Sequence, residues 1–236
     1  MSDQYEKLAH FYDDFVQKNR NYYEIARGFS EIIGDNKNLL DIGIGTGLVV
    51  EHLLEINPSY NITGIDTSES LLEQARKKLG QKVDLYCQSV SELDVDKKFD
   101  VAYSRGGAWT FVNDESETML ASHILSSAEI KKSFQCVANH LKKGGLLIIS
   151  SSNAYSNKLV ELDNGIVHKK TATTELVDDE RYAILGYFFY KGEELLAEQT
   201  LKLKLLSHQT YTSMLEEAGF VEGAIEPGKY CSYLKT

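Results

Sequence analysis

The chain of 236 residues has only three cysteines, and Cys87, Cys136 and Cys231 lie far apart. No pair of them has the spacing of a zinc site or a redox motif, so we expect neither a disulfide framework nor an oxidising compartment. No apolar run approaches the length of a membrane span, and the N-terminus is polar and acidic, unlike a signal peptide. These absences predict a soluble, cytoplasmic protein that does not act at a membrane.

Basic residues are also scarce, because 25 Lys and Arg stand against 35 Asp and Glu and give a net charge of -10. Phosphates require a basic footprint, so this balance argues against a nucleic-acid partner. The six histidines and three cysteines show no metal-ligand spacing, and no metal is expected. The length fits one domain, or one domain with an insertion.

The most informative stretch is 38–49, in which a short apolar strand runs into Gly43, Gly45 and Gly47. Glycines at this place let the backbone approach a ligand closely, just beyond the carboxyl end of the strand. Their spacing differs from the Gly-x-Gly-x-x-Gly of nicotinamide sites. Asp41, before the turn, would repel a pyrophosphate but attract an ammonium or sulfonium group. The loop therefore predicts a nucleoside that carries positive charge.

A second short strand at 62–65 ends in Asp66, about twenty residues past the glycines. A carboxylate at that place can accept hydrogen bonds from both hydroxyls of a ribose. Ser68 or Ser70 then caps a helix whose apolar face includes Leu72 and Ala75. The two strands and their polar ends indicate one nucleoside site.

In these motifs the chain resembles the class I S-adenosylmethionine-dependent methyltransferases, through Leu40-Asp41-Ile42-Gly43-Ile44-Gly45-Thr46-Gly47, Gly64-Ile65-Asp66-Thr67-Ser68 and Leu72-x-x-Ala75-Arg76. The resemblance covers most of residues 1–150. It implies an α/β fold with a Rossmann-like, doubly wound, mostly parallel sheet of seven strands in the order 3-2-1-4-5-7-6, strand 7 being antiparallel. It also implies S-adenosyl-L-methionine as cofactor and S-adenosyl-L-homocysteine as product, with no metal.

Carried over position by position, the resemblance assigns the cofactor contacts. The methionine portion is expected beside Asp41, Gly43 and Gly45, with Gly47 supporting the loop, and the ribose beside Asp66 and Thr67. The adenine is expected beside Ser89 and Val90, and Ser104 with Arg105 would face the sulfonium. Many relatives carry an aspartate at the position of Ser89, where it binds the adenine amino group. Either Ser89 accepts a single hydrogen bond here, or Gln88 substitutes for that aspartate.

Three residues are the predicted catalytic candidates. Tyr12 lies in a segment similar to the start of small-molecule methyltransferases, where a tyrosine closes on the cofactor or the substrate. Residues 1–34 are expected to form this helical lid, although simple packing on the core would give the same pattern. Arg105 follows the fourth strand, and His123 lies in the connection 112–127, whose length indicates a lid or binding loop.

After Ser150 the pattern changes to three longer β segments. Sugar-amine and glycine-type N-methyltransferases carry a comparable antiparallel insertion, so we expect 151–206 to be a substrate cap on a domain built from 1–150 and 207–236. Tyr22, Trp109 and Tyr187 are predicted to contact the substrate, with core packing as the alternative for each.

The leading hypothesis is methyl transfer to a nitrogen or oxygen of a small-molecule metabolite. One alternative is an enzyme that uses this type of cofactor without donating methyl, as aminopropyl transferases do. Another is a catalytically inactive partner protein that still binds S-adenosylmethionine. A nicotinamide oxidoreductase is disfavoured by the glycine spacing and by Asp41. Exposed edges of the β cap can pair between subunits, which allows a homodimer.

Overall fold

The computed structural model describes residue 5 and residues 9–113, 117–152, 156–162, 165–226 and 229–236. Its helices are α1 (Ala9–Asn19), α2 (Tyr22–Ile33), α3 (Leu48–Ile56), α4 (Glu69–Leu79), α5 (Ser127–His140) and α6 (His208–Glu217). Its strands are β1 (Asn38–Ile42), β2 (Asn61–Asp66), β3 (Val83–Cys87), β4 (Phe99–Ser104), β5 (Trp109–Asn113), β6 (Thr118–Ser122), β7 (Leu141–Ser150), β8 (Lys158–Glu161), β9 (Ile166–Val177), β10 (Glu180–Lys191), β11 (Glu194–Leu206), β12 (Phe220–Glu226) and β13 (Tyr230–Lys235). None of the described helices has both the length and the apolar character of a membrane span.

The first sheet has seven strands in the order β3-β2-β1-β4-β7-β13-β12. Strands β1 to β4 and β7 pair in parallel, whereas β13 is antiparallel to both β7 and β12. Numbered along the chain within this sheet alone, β7, β12 and β13 are strands 5, 6 and 7. The observed order is therefore the predicted 3-2-1-4-5-7-6. Between β1 and β4 the chain reverses the direction in which it adds strands, and open α/β sheets bind ligands at such a switch point.

Local signals set the ends of the helices that frame this point. The Ser68 hydroxyl accepts a hydrogen bond from the Leu71 amide and begins α4, so Ser68 rather than Ser70 is the N-cap. Gly34 ends α2 with a φ of 59°, a conformation that favours glycine. Ser126, at the start of α5, accepts in the same way from the Glu129 amide. Each cap directs the following or preceding strand into the sheet.

The second sheet is antiparallel throughout, in the order β5-β6-β11-β10-β9-β8. The three long segments predicted after Ser150 are β9, β10 and β11. The prediction of a binding loop over 112–127 was wrong, because 109–113 and 118–122 pair as the antiparallel strands β5 and β6, the hairpin β5–β6, within this sheet. Most residues on both faces of these two strands are buried, so their sequence lacks the strict alternation of polar and apolar residues that marks a half-exposed strand. The segment 151–206 therefore does not contain the whole sheet.

The loop after β4 rests directly on the glycine loop after β1. A Cβ added to Gly43 would lie 2.3 Å from the Gly107 Cα, and one added to Gly107 would lie 2.3 Å from the Ile42 carbonyl oxygen. Neither position can carry a side chain without moving the backbone of the other loop. This contact holds the two loops that follow the central strands at a fixed separation.

We expect Gly107→Ala to lower the free energy of unfolding by about 1–3 kcal/mol, because the added methyl group overpacks a contact between two backbones. Chemical denaturation monitored by circular dichroism measures it. Gly28→Ala in α2 is the matched control, since no atom lies within 4 Å of the added Cβ, and it should stabilise the helix by about 0.5–1 kcal/mol. Equal stability of Gly107→Ala and wild type would refute this account of the loop contact.

Candidate functional site

A cavity of about 290 Å³ opens at the carboxyl ends of β1, β2 and β4. It brings together most of the side chains that the sequence singled out, namely Tyr12, Tyr22, Asp41, Gly43, Gly45, Asp66, Thr67, Ser89, Val90, Arg105 and His123. These residues come from seven separate stretches of chain, so the cavity is a product of the fold. Tyr5, Thr46 and Gly107 also line it, although sequence reasoning gave none of them a site role.

Four predicted site residues do not line the cavity. Trp109 is fully buried and packs on Phe134, with ring centroids 4.6 Å apart, because this face of β5 rests on α5. The Ser104 hydroxyl donates to the Trp109 carbonyl at 2.9 Å and accepts from the Trp109 amide at 3.2 Å, so it stabilises the turn between β4 and β5. Both predictions are thereby corrected. Tyr187 and Gly47 also lie outside the lining, Tyr187 on the second sheet and Gly47 packed against Leu79.

The Asp66 carboxylate organises the glycine loop. One of its oxygens accepts from the Gly45 amide at 2.8 Å and the other from the Ser68 amide at 2.9 Å. The Gly43 and Ile44 amides both donate to the Ile65 carbonyl, at 2.8 and 3.1 Å. The loop after β1 is thus bound to the end of β2 by main-chain and side-chain hydrogen bonds. A half-buried carboxylate remains at the cavity wall, within reach of a ligand hydroxyl.

Asp41 is the other acid of the cavity and is only 3% exposed. Burial raises its pKa to about 8, an effect that the neighbouring Tyr103 hydroxyl reduces and the Asp66 charge increases. At neutral pH this carboxyl is therefore mostly protonated in the free protein. A cationic ligand group placed beside it would favour the ionised form.

At the far end of the cavity lie Gln88, Ser89 and Val90. The Ser89 hydroxyl accepts from the Ser91 amide at 3.3 Å and caps a short 3-10 turn, so part of its hydrogen-bonding capacity is already used. The Gln88 side-chain nitrogen is buried without a hydrogen-bond partner among the described residues. A buried donor without a partner costs free energy, which indicates that a ligand acceptor belongs beside Gln88.

Aromatic side chains form the opposite wall. Tyr5 meets Tyr12 edge-on with ring centroids 6.0 Å apart, and it lies 6.4 Å from His123. Burial raises the pKa of both tyrosines, so their hydroxyls stay protonated. Burial also lowers the pKa of His123 to about 4. A neutral imidazole can accept a hydrogen bond from a ligand N–H or O–H.

Arg105 extends the cavity wall beyond β4 and is partly buried. Burial lowers the pKa of its guanidinium, and the charge of Arg20 lowers it further. The structure thus brings Tyr12, Arg105 and His123 to one cavity, as the sequence predicted. Their catalytic roles stay predictions.

A contact that the sequence did not reveal ties the first helix to this site. The Asp13 carboxylate on α1 accepts from the Thr46 hydroxyl at 2.5 Å and from the Lys78 ammonium at 2.6 Å. Thr46 belongs to the glycine loop and Lys78 to α4. Three elements far apart in sequence are therefore joined by a single carboxylate, which no local motif could have indicated.

In the ranges covered by the structure, His, Cys, Asp and Glu side chains nowhere form a group of three or more that could hold a metal ion. The described cysteines carry no disulfide, and each is a free thiol.

A family model described as "Methyltransferase domain" matches residues 39–145. The chain is 25% identical over 170 residues to malonyl-[acyl-carrier protein] O-methyltransferase 1 of Ilyobacter polytropus, covering 69% of this chain and 62% of that protein. It is 33% identical over 96 residues to the release factor glutamine methyltransferase of Buchnera aphidicola, covering 39% of this chain and 35% of that one. The chain thus spans less than two thirds of each relative's length.

Solved structures are similar over nearly the whole chain. DesVI of Streptomyces venezuelae superposes with a TM-score of 0.73 at 17% identity and covers 95% of this chain and 97% of its own. CalS10 from Micromonospora echinaspora, an amino pentose methyltransferase solved with S-adenosylmethionine bound, gives 0.71 at 18% identity, with coverages of 96% and 97%. At such identities the likeness shows the fold, which includes the second sheet.

We expect Asp41→Asn to stabilise the free protein at pH 8. An unfolded chain releases an aspartate proton at about pH 3.9, whereas folded Asp41 holds its proton until about pH 8. Wild type therefore loses stability as the pH rises through this window, and the variant does not. Thermal and urea unfolding at pH 5 and pH 8 should show the difference growing to the order of a few kcal/mol.

Asp35→Asn, at an exposed aspartate after α2, is the matched control and should show no such trend. A constant difference between Asp41→Asn and wild type at both pH values would contradict the assignment of a protonated Asp41.

Proposed function

We propose that the chain transfers the methyl group of S-adenosyl-L-methionine to a nitrogen or oxygen of a small molecule, which the match of residues 39–145 to a methyltransferase domain model supports. One observation carries the proposal: two carboxylates, Asp41 and Asp66, flank the bare main chain of Gly43 and Gly45 in a single cavity. A nucleoside with a positively charged thioether arm matches that order of groups.

The residues of the cavity fit this cofactor. Asp66 would hold the ribose hydroxyls, and Asp41 would face the cationic methionine portion beside Gly43 and Gly45. The unpartnered Gln88 amide would meet a ring nitrogen of adenine, which supports Gln88 over Ser89 as the residue that reads this base. When bound, the sulfonium of the cofactor supplies a methyl carbon that is already activated for in-line displacement.

The protein's own task is then to hold the acceptor in line and to exclude water. The wall of Tyr5, Tyr12 and Tyr22 encloses the remaining space next to Arg105 and His123. Neutral His123 can accept a hydrogen bond from the acceptor N–H or O–H and so orient its lone pair towards the methyl carbon. We assign Tyr12 and His123 to this positioning and to proton handling.

An acceptor of small size is supported by the same geometry. The cavity of about 290 Å³ has to hold the cofactor as well, and Tyr12 of α1 and Tyr22 of α2 line it. The net charge of -10 further disfavours a nucleic acid as acceptor. The similar proteins include malonyl-[acyl-carrier protein] O-methyltransferases and a sugar N-methyltransferase, which supports oxygen and nitrogen alike as the accepting atom.

Binding of S-adenosylhomocysteine tests the cofactor site by calorimetry. We expect Asp66→Ala to weaken binding at least tenfold, because the ribose hydroxyls lose a charged acceptor. Asp84→Ala on β3 is the matched control, as it removes an exposed aspartate outside the cavity and should leave the affinity unchanged. Absence of measurable binding to folded wild type, with binding of NADH instead, would overturn the proposal.

Transfer of label from methyl-labelled S-adenosylmethionine to a panel of amines and carboxylates tests turnover. Label recovered in an acceptor, with S-adenosylhomocysteine as co-product, supports methyl donation. Methylthioadenosine as co-product would instead support the aminopropyl-type alternative. Tight cofactor binding with no transfer to any acceptor would favour a binding protein without turnover.

A further inference from the structure

The acceptor side of the cavity has a cation that the protein itself does not neutralise. Within the described part of the chain, no hydrogen bond or ion pair engages the Arg105 guanidinium, although it is partly buried in the cavity wall. The charged and titratable groups that act on it are Arg20, Tyr22 and Tyr12, none of them an acid. An ion removed from water without a counterion is costly, so an unpaired guanidinium in a cavity indicates a missing anionic ligand.

Neither of the two described acids that line the cavity forms an ion pair with Arg105. Asp66 is bound by the Gly45 and Ser68 amides, and Asp41 lies beside the Tyr103 hydroxyl. Asp41 lies on β1 and Asp66 ends β2, on the cofactor side. Arg105 follows β4 and shares its wall with the tyrosines and His123. The cavity is thus divided into an acidic half and a cationic half.

The cationic half extends past Arg105, in a chain whose net charge is -10. The charge of Arg20 acts on Arg105, on Tyr12 and Tyr187, and on Lys170 of β9. Lys170 is buried, lies 5.7 Å from the Tyr187 ring centroid and is also influenced by Lys158. Arg20 therefore lies within electrostatic range of both Arg105 and Lys170, and these cations favour an anion approaching from that side.

We infer that the methyl acceptor carries a carboxylate, which the Arg105 guanidinium binds as a two-pronged ion pair next to the transferred methyl group. This deepens the proposed function and rests on it. One guanidinium neutralises one negative charge, which matches a carboxylate better than a doubly charged phosphate. The acceptor is therefore an amino acid, another amino carboxylate or a simple carboxylic acid. The cofactor also has a carboxylate, and the experiment must separate these two sources.

The first arm measures binding of matched probe pairs to protein saturated with S-adenosylhomocysteine. The pairs are 4-aminobenzoate with aniline, phenylalanine with phenethylamine, and β-alanine with propylamine, each up to 50 mM. We expect the carboxylated member to bind at least tenfold tighter in one or more pairs, and Arg105→Met to abolish that preference. Arg105→Lys should retain a weaker preference, because lysine keeps the charge but loses the paired N–H donors of the guanidinium.

The matched control is Arg76→Met, which removes an exposed guanidinium paired with Glu69 on α4, outside the cavity. It should leave the preference intact. No carboxylate binding in wild type, equal binding within every pair, or a preference that survives in Arg105→Met would each overturn the inference. Thermal unfolding of all variants shows that they are folded.

The second arm compares S-adenosylhomocysteine with its decarboxylated analogue in wild type and Arg105→Met. We expect the variant to bind both as wild type does. If Arg105→Met weakens only S-adenosylhomocysteine, and by as much as decarboxylation does, Arg105 holds the cofactor's carboxylate and the inference about the acceptor fails. In either case, normal binding of S-adenosylhomocysteine to the wild type leaves the proposed cofactor site intact. Failure of this inference can therefore be distinguished from failure of the proposed function.

Discussion

The hydrogen bonds of the Asp66 carboxylate are the constraint on which the site depends. By accepting from the Gly45 and Ser68 amides at once, Asp66 fixes the turn after β1 to the start of α4. The turn needs this support because Gly43, Gly45 and Gly47 all have positive φ, where a glycine loses much conformational freedom on folding. The contact of Gly43 with Gly107 then extends the same rigid frame to the loop after β4.

On this frame the charges of the cavity are separated rather than paired. Asp41 and Asp66 come from β1 and β2, whereas Arg105 follows β4 and is influenced by the charge of Arg20. A ligand pair with a cation at one end and an anion at the other would satisfy both sides. This arrangement explains how a protein with a net charge of -10 can attract an anionic acceptor to one local region.

The parallel sheet and the cofactor half of the cavity could be predicted from the sequence because both depend on local signals. Apolar strands ending in glycines or an acid are readable from a few residues, as at Asp41 and Asp66. Sequence reasoning missed the hairpin β5–β6, where burial of most residues on both faces removes the alternation of a strand. It also placed Trp109 in the pocket, since a lone tryptophan beside a predicted site gives no sign of which face it turns to the core.

The sequence by itself determined the glycine turn, the two carboxylates and the long β segments after Ser150, because each follows from spacing along the chain. The order of the strands followed from the family resemblance that these motifs carry. Only the tertiary structure decided that Asp13 binds Thr46 and Lys78, that Gly107 meets Gly43, and that Arg105 has no partner among the described residues. Such facts depend on contacts between residues many positions apart. No local pattern encodes which of many possible partners a side chain meets once the sheets and helices have packed.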